Sequence, residues 1–186
     1  MTTRRQFLAA SAGLAGALAL PAAAAPFQID PVFLPRRVSV RESMAWPQLV
    51  VSTPERFLYW VDGPGTAIRY GVGVGQAGLE FEGEALIGAK REWPSWTPTP
   101  DMIARKPEAY KKHAGGMPGG PNNPLGARAL YLYQDGHDTL FRIHGTNQPQ
   151  SIGTSSSNGC IRMTNESVID LYRRVPIGTS VNVIQG

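Results

Sequence analysis

The sequence predicts one mainly β domain, sandwich- or barrel-like, with a single helix in its C-terminal half and a long irregular loop at its middle. Three observations predict it. Seven short segments rich in β-branched and aromatic residues recur between clusters of Gly, Pro, Asp and Asn. One stretch, following Asn165, carries a clear helical apolar period. The stretch from Lys90 to Gly126 shows neither pattern and is dense in Pro, Gly and Trp.

In chain order the strand segments are "QLVVS" (48–52), "RFLYWV" (56–61), "TAIRYGVGV" (66–74), "EALIG" (84–88), "ARALYLY" (127–133), "DTLFRIH" (138–144) and "TSVNVI" (179–184). Between the fifth and sixth lies "QDGHD" (134–138), whose Asp-Gly pair tolerates φ > 0 and reads as a hairpin connection. The helix is expected to start at an Asn165 cap. Val168, Leu171, Tyr172 and Val175 give it an apolar stripe to lay on the sheet, and Pro176 and Gly178 stop it. Within the long loop, Thr99 and Pro100 read as the opening of a short helix. Loops of this length in compact domains are usually lids, binding loops or mobile segments. Trp93 and Trp96 are therefore candidates for a pocket wall, or else cover for the core.

The N-terminus, "MTTRRQFLAASAGLAGALALPAAAAPF", sets two arginines before an apolar run and then small residues. It reads as an export signal over residues 1–24, of the twin-arginine type, cleaved after Ala24. The run is too short and too rich in Gly and Ala for a permanent membrane span. Residues 25–46 then form an N-terminal segment of the mature chain, and 47–186 the folded domain. Loss of Arg4 and Arg5 lowers the formal charge from +4 to +2, and no block of Lys or Arg remains to track nucleic acid.

Several motifs fail on context. "GVGQAG", Gly73 to Gly78, matches a dinucleotide-binding pattern, but that pattern needs a helix after the glycines. Here they lead into "LEFEGEALIG", which alternates like a strand, so a turn or bulge within a sheet is expected and no nucleotide. Three scattered histidines and one cysteine offer no metal-ligand spacing. No cofactor is expected. His113, among lysines and glycines, and His137, in the hairpin turn, read as solvated. Serine-nucleophile motifs are missing.

That leaves His144 and Cys160. His144 ends a strand before Gly145 and is expected at the sheet rim. Cys160 follows Gly159, whose missing side chain would let a substrate backbone approach and N–H groups converge. A nearby histidine would turn the thiol into a nucleophile. The residues alone leave two alternatives open, a catalytic pair or a structural thiol near an unrelated histidine.

"IHGTN" followed by "SNGCIRMTNESVIDLY" closely resembles the catalytic signature of the L,D-transpeptidases, the YkuD-like family, and the likeness runs from about Gln48 to Ile184. The resemblance implies that Cys160 is the nucleophile and His144 the proton acceptor and donor. It implies that Arg162 supports the cysteine loop and that Ser157, Gly159 and Gly145 frame it. Two departures stand out: Asn158 replaces the second histidine of many members, and "FEGEAL" replaces their Thr-Pro-x-Gly-x-Phe. Trp93, Trp96 and Asn158 are the candidates for substrate contact.

By the same resemblance the substrate is a peptidoglycan tetrapeptide stem. Cys160 would attack the L-centre carbonyl of the third residue, release D-alanine and leave a thioester for an amine acceptor. Backbone N–H groups around Gly159 and Cys160 would hold the oxyanion. A second stem as acceptor gives cross-linking, a lipoprotein amine gives anchoring, and water gives L,D-carboxypeptidase trimming. Localisation would be periplasmic. A sortase-like cysteine transpeptidase and a silent peptidoglycan-binding module are the alternatives from other classes.

Overall fold

Alternation of buried and exposed residues along short segments builds the sheet. The computed structural model describes residues 27–185; the expected signal over 1–24 and its cleavage site lie outside them. The strands are β1 (Arg36–Ser39), β2 (Gln48–Ser52), β3 (Phe57–Gly63), β4 (Thr66–Gly71), β5 (Val74–Gly75), β6 (Gly83–Glu92), β7 (Arg128–Gln134), β8 (His137–His144), β9 (Ser155–Ser157), β10 (Ile161–Arg162) and β11 (Ser180–Ile184). Among the described residues nine of them form one mixed sheet in the order β1-β4-β3-β2-β11-β6-β7-β8-β10, while β5 and β9 pair as a parallel ribbon.

Both halves of the sheet contribute to one core. Leu58 of β3 and Tyr70 of β4 belong to the same buried cluster as Leu130 of β7 and Ile143 of β8. Because side chains alternate, the opposite face of β2, β3 and β4 also needs cover. Val50, Val61 and Ala67 find it against Val38, Val40 and Met44 from the N-terminal segment, whose β1 extends the sheet by pairing with β4. Residues 36–44 of that segment are thus built into the domain. Nothing in "RRVS" marks a strand, since three of its four residues are exposed and it carries no apolar alternation.

Asp135 and Gly136, with φ of 51° and 79°, make the tight connection expected between β7 and β8. The C-terminal helix, α3 (Asn165–Arg174), buries Val168 and Leu171 and packs mainly on β7. Its cap is Thr164, whose Oγ1 accepts from Ser167 N, and not Asn165. The Asn165 Oδ1 instead accepts from Ala127 N at 2.9 Å, tying the helix start to the strand it covers. Lys90 Nζ donates to the Tyr172 and Val175 carbonyls and closes the other end.

The Gly73–Gly78 run is a turn within sheet structure, as its sequence context predicts. It passes through β5 into a turn, and the next element is the strand β6. Its glycines serve close backbone approach. A Cβ on Gly73 would strike the Ser151 carbonyl, and one on Gly75 would crowd Glu80 and the Cα of Gly159.

The long loop is organised. Trp96 and Met117 exchange backbone hydrogen bonds at its base, and buried Asn123 donates to the Met117 and Pro118 carbonyls. Between them lie α1 (Pro100–Arg105), capped by Thr99 as expected, and α2 (Pro107–Tyr110). His113 is partly buried with its ring 5.9 Å from that of Trp96, not solvated as the surrounding lysines imply; His137 is exposed.

Candidate active site

The ladder decides which chemistry-bearing residues meet. β10 pairs in parallel with β8, Ile161 opposite Ile143 and Arg162 opposite His144. Ile143 and Ile161 are buried in the core, so alternation puts Arg142, His144, Cys160 and Arg162 on the other face. There His144, Cys160 and Arg162 line one cavity of about 700 Å³, whose wall includes Trp96 and Tyr110 of the long loop and Asn158. The sequence brings these residues near each other only through β8 and β10.

His144 is held from behind. Its Nδ1 sits 2.5 Å from the Gly145 carbonyl, which fixes Nδ1 as the protonated nitrogen of the neutral ring and leaves Nε2 as the basic one. Gly145 must lack a Cβ because one would collide with Asn165 Oδ1 and crowd Ala127 N, the pair that anchors α3. The histidine ends its strand as expected, but at 4 % exposure it is buried and not a rim residue. The long loop and α3 cover the end of β8 that an open sheet would leave in water.

Ser157 shapes the cysteine turn. Its Oγ donates to the Cys160 carbonyl at 2.6 Å and accepts from Gly159 N at 3.0 Å. The Gly159 N–H is therefore engaged inside the turn, which takes it out of the donors expected to face an oxyanion. Gly159 also differs from expectation in what its missing side chain makes room for. At φ +114° a Cβ would run into the Leu79 carbonyl and the Phe141 ring, so the space is filled by the protein itself.

Burial dominates the electrostatics. It pulls the His144 imidazole down to about 4 from its ordinary 6.5, with the Gly145 carbonyl opposing and the Arg162 and Arg142 charges adding to the fall. Burial likewise pushes the Cys160 thiol up, against the pull of the Arg142 backbone and of the two arginines. The thiol is thus not a pre-formed thiolate of depressed pKa, as a simple cysteine-histidine pairing would have it. Both groups rest neutral, and they line the same cavity without a hydrogen bond between them. Sγ lies 3.9 Å from the Leu140 carbonyl, and Leu140 itself has φ +64°, a conformation unusual for a branched residue.

The arginines differ. Arg142 is clamped by Asp138 through two short contacts, 2.6 and 2.8 Å, whereas half-buried Arg162 meets only the neutral amide of Gln148 at 3.4 Å. Its backbone exchanges hydrogen bonds with Gly73, which joins the cysteine loop to the glycine run. Of the three candidates for substrate contact, Trp96 and Asn158 line the cavity and Trp93 does not; Trp93 stands 46 % exposed on the outer side of the loop. Sequence reasoning missed Arg105, Tyr110 and Gln148, which also line it. Only the length and Pro/Gly content of the loop carrying the first two hinted at a wall. Among the described residues no group of three His, Cys, Asp or Glu is placed to hold a metal ion.

Residues 47–183 match the family model described as the L,D-transpeptidase catalytic domain, YkuD. The probable L,D-transpeptidase YbiS of Escherichia coli is 33% identical over 153 residues, covering 81% of this chain and 48% of its own, so the chain spans about half the length of that relative. A Brucella melitensis protein named as a probable carnitine operon oxidoreductase has a solved structure that is 54% identical, with a TM-score of 0.58 over 84% of this chain and 96% of that one. An L,D-transpeptidase from Mycobacterium smegmatis shares the fold at 16% identity, with a TM-score of 0.54 over 74% of this chain and 58% of that one.

Proposed function

Because the chain belongs to the L,D-transpeptidase family, we propose that it is a cysteine-dependent enzyme acting on peptidoglycan tetrapeptide stems. The observation that carries the reading is the single cavity into which β8 and β10 bring His144 and Cys160, with the histidine's tautomer set by the Gly145 carbonyl. In the first half-reaction His144 Nε2 takes the thiol proton as sulfur attacks the L-centre carbonyl of the third residue. The tetrahedral oxyanion faces Cys160 N–H. As it collapses the C–N bond breaks, the proton passes from His144 to the leaving D-alanine nitrogen, and a thioester remains. An acceptor amine then gives its proton to His144, attacks the thioester and returns the thiol. A neutral resting pair suits this sequence, because His144 is already in its basic form.

The test is incubation of the purified chain with disaccharide tetrapeptide, products read by mass spectrometry. A cross-linked dimer with loss of D-alanine is expected. Tripeptide alone would assign the acceptor as water, transfer to a supplied lipoprotein amine would assign anchoring, and unaltered tetrapeptide would reject the reading. The oxidoreductase name of the Brucella melitensis relative finds no support in the glycine run, which leads into no helix.

The same reading places the protein in the periplasm, exported by the twin-arginine route. The support is the order Arg4, Arg5, Gln6, Phe7, Leu8 ahead of the apolar run. Among the described residues no helix is long and apolar enough to cross a membrane. Exchanging Arg4 and Arg5 together for lysine is expected to leave folded precursor in the cytoplasm, scored by fractionation; unchanged delivery would assign the signal to the general secretory route.

A further inference from the structure

Beside the catalytic cavity opens a smaller one of about 270 Å³. Its wall carries three cations, Arg105 and Lys106 at the end of α1 and Arg162 on the cysteine loop, and no Asp or Glu. Four of the sixteen Lys and Arg among the described residues form ion pairs. Arg37, Arg128, Arg142 and Arg174 each pair with a carboxylate, but among the described residues none of these three does. Arg105 Nη2 donates to Asn158 Oδ1 at 3.3 Å and Arg162 Nη1 to Gln148 Oε1 at 3.4 Å. A neutral amide oxygen satisfies one N–H and leaves the charge uncompensated. For Arg162, half-buried in the wall, that is an unfavourable state which an anion would relieve.

Asn158 sets the arrangement. It also donates to the Tyr110 hydroxyl at 2.9 Å, so one side chain fixes both Arg105 and the loop's aromatic wall to the turn that carries Cys160. Arg162, Asn158 and Tyr110 line both cavities, which places the cationic pocket next to the reacting sulfur. Glu80 and Asp101 line only the larger cavity.

We propose that Arg105, Lys106 and Arg162 form a subsite for a carboxylate of the stem peptide, with Asn158 as the positioning residue that aims Arg105 into it. The proposal rests on the transpeptidase reading. A planar guanidinium is matched to a carboxylate, and a pocket of this volume takes one amino-acid unit and not an extended strand. The two residues that flank the scissile bond each carry a carboxylate with the required chemistry: the terminal one on the departing D-alanine, and the one on the D-centre of the third residue, a diamino acid.

The test uses the full mature chain carrying Cys160→Ala, so that binding is read without turnover. Calorimetry compares disaccharide tetrapeptide with two neutralised forms, one amidated at the C-terminus and one at the D-centre. One amide is expected to bind roughly tenfold or more weaker than the acid, and which one identifies the carboxylate. Adding Arg105→Ala and Lys106→Ala, both exposed positions, is expected to remove the preference without moving the melting temperature. Asn158→Asp, which keeps the side-chain shape but sets a carboxylate against Arg105, is expected to weaken the acid more than the amide. Equal binding of acid and both amides, or a preference that survives the double substitution or Asn158→Asp, overturns the subsite while leaving the transpeptidase reading in place. If no form of the tetrapeptide binds and the product assay above is also blank, the transpeptidase reading has failed as well.

Discussion

Cys160→Ala is expected to abolish thioester formation and lower tetrapeptide turnover by about 10⁴-fold or more, because a thioester needs a thiol and the chain has one cysteine. The fold is expected to survive. The substitution removes one sulfur from a half-buried position on the cavity wall, where it approaches the Leu140 carbonyl at 3.9 Å. The Ser157 hydrogen bonds that hold the turn go to backbone groups and remain. A carbapenem supplies a covalent probe: intact-mass analysis is expected to find one adduct on the unsubstituted protein and none on the variant. Since burial pushes the thiol up, iodoacetamide should alkylate it at neutral pH more slowly than an exposed cysteine, although the thiol stands open to the cavity. A variant that kept full activity would make the lone thiol structural. Rapid alkylation at neutral pH would show a resting thiolate in place of the neutral pair.

His144→Gln is the second large effect, a fall of about 10²- to 10⁴-fold in acylation rate from loss of the base. The pH profile separates this role from a structural one. The basic form of His144 is the neutral one, and its pKa lies at about 4, so kcat/KM should hold from neutral pH down to about 5 and be lost as pH falls through about 4. An acid limb near the ordinary histidine value of 6.5 would refute the buried neutral imidazole.

Stability follows the same linkage. The unfolded chain takes up a proton near 6.5 and the folded one only near 4, so the unfolded state binds more protons between these values. The contribution is full above 6.5 and is lost as pH falls toward 4, on the order of 3 kcal/mol in all. Urea midpoints at pH 7 and pH 4.5 should therefore differ less for His144→Gln than for the parent. Glutamine can still donate to the Gly145 carbonyl, which keeps the comparison within a folded protein.

How much of this was legible in the chain varies by element. β2 lies where "QLVVS" placed it, and the Asp135-Gly136 connection and the Thr99-capped helix are where their residues predict. These features are local: a strand period, a pair that tolerates positive φ, a hydroxyl before a proline. β1, β9 and β10 were not foreseen, because strands of two to four residues owe their existence to the neighbour they pair with and carry no period of their own. The cap of α3 was misplaced by one residue for a related reason. Asn165 is a good cap by type, but Ala127 N lies within its reach only in the folded sheet, and Thr164 takes the role instead.

The site divides the same way. The sequence by itself determined which residues are the candidates, one thiol in a Ser-x-Gly-Cys turn and one histidine before a glycine, and these are statements about residue type and near neighbours. Only the tertiary structure decided their state and company. Burial of His144 by distant elements sets a neutral imidazole where the sequence suggests an open rim, and the packing of Phe141 and Leu79 onto Gly159 accounts for a glycine that looked reserved for substrate. The meeting of Arg105, Asn158 and Arg162 is the extreme case. Desolvation and charge depend on everything within several ångströms, whatever its place in the chain, so no spacing in the sequence encodes them.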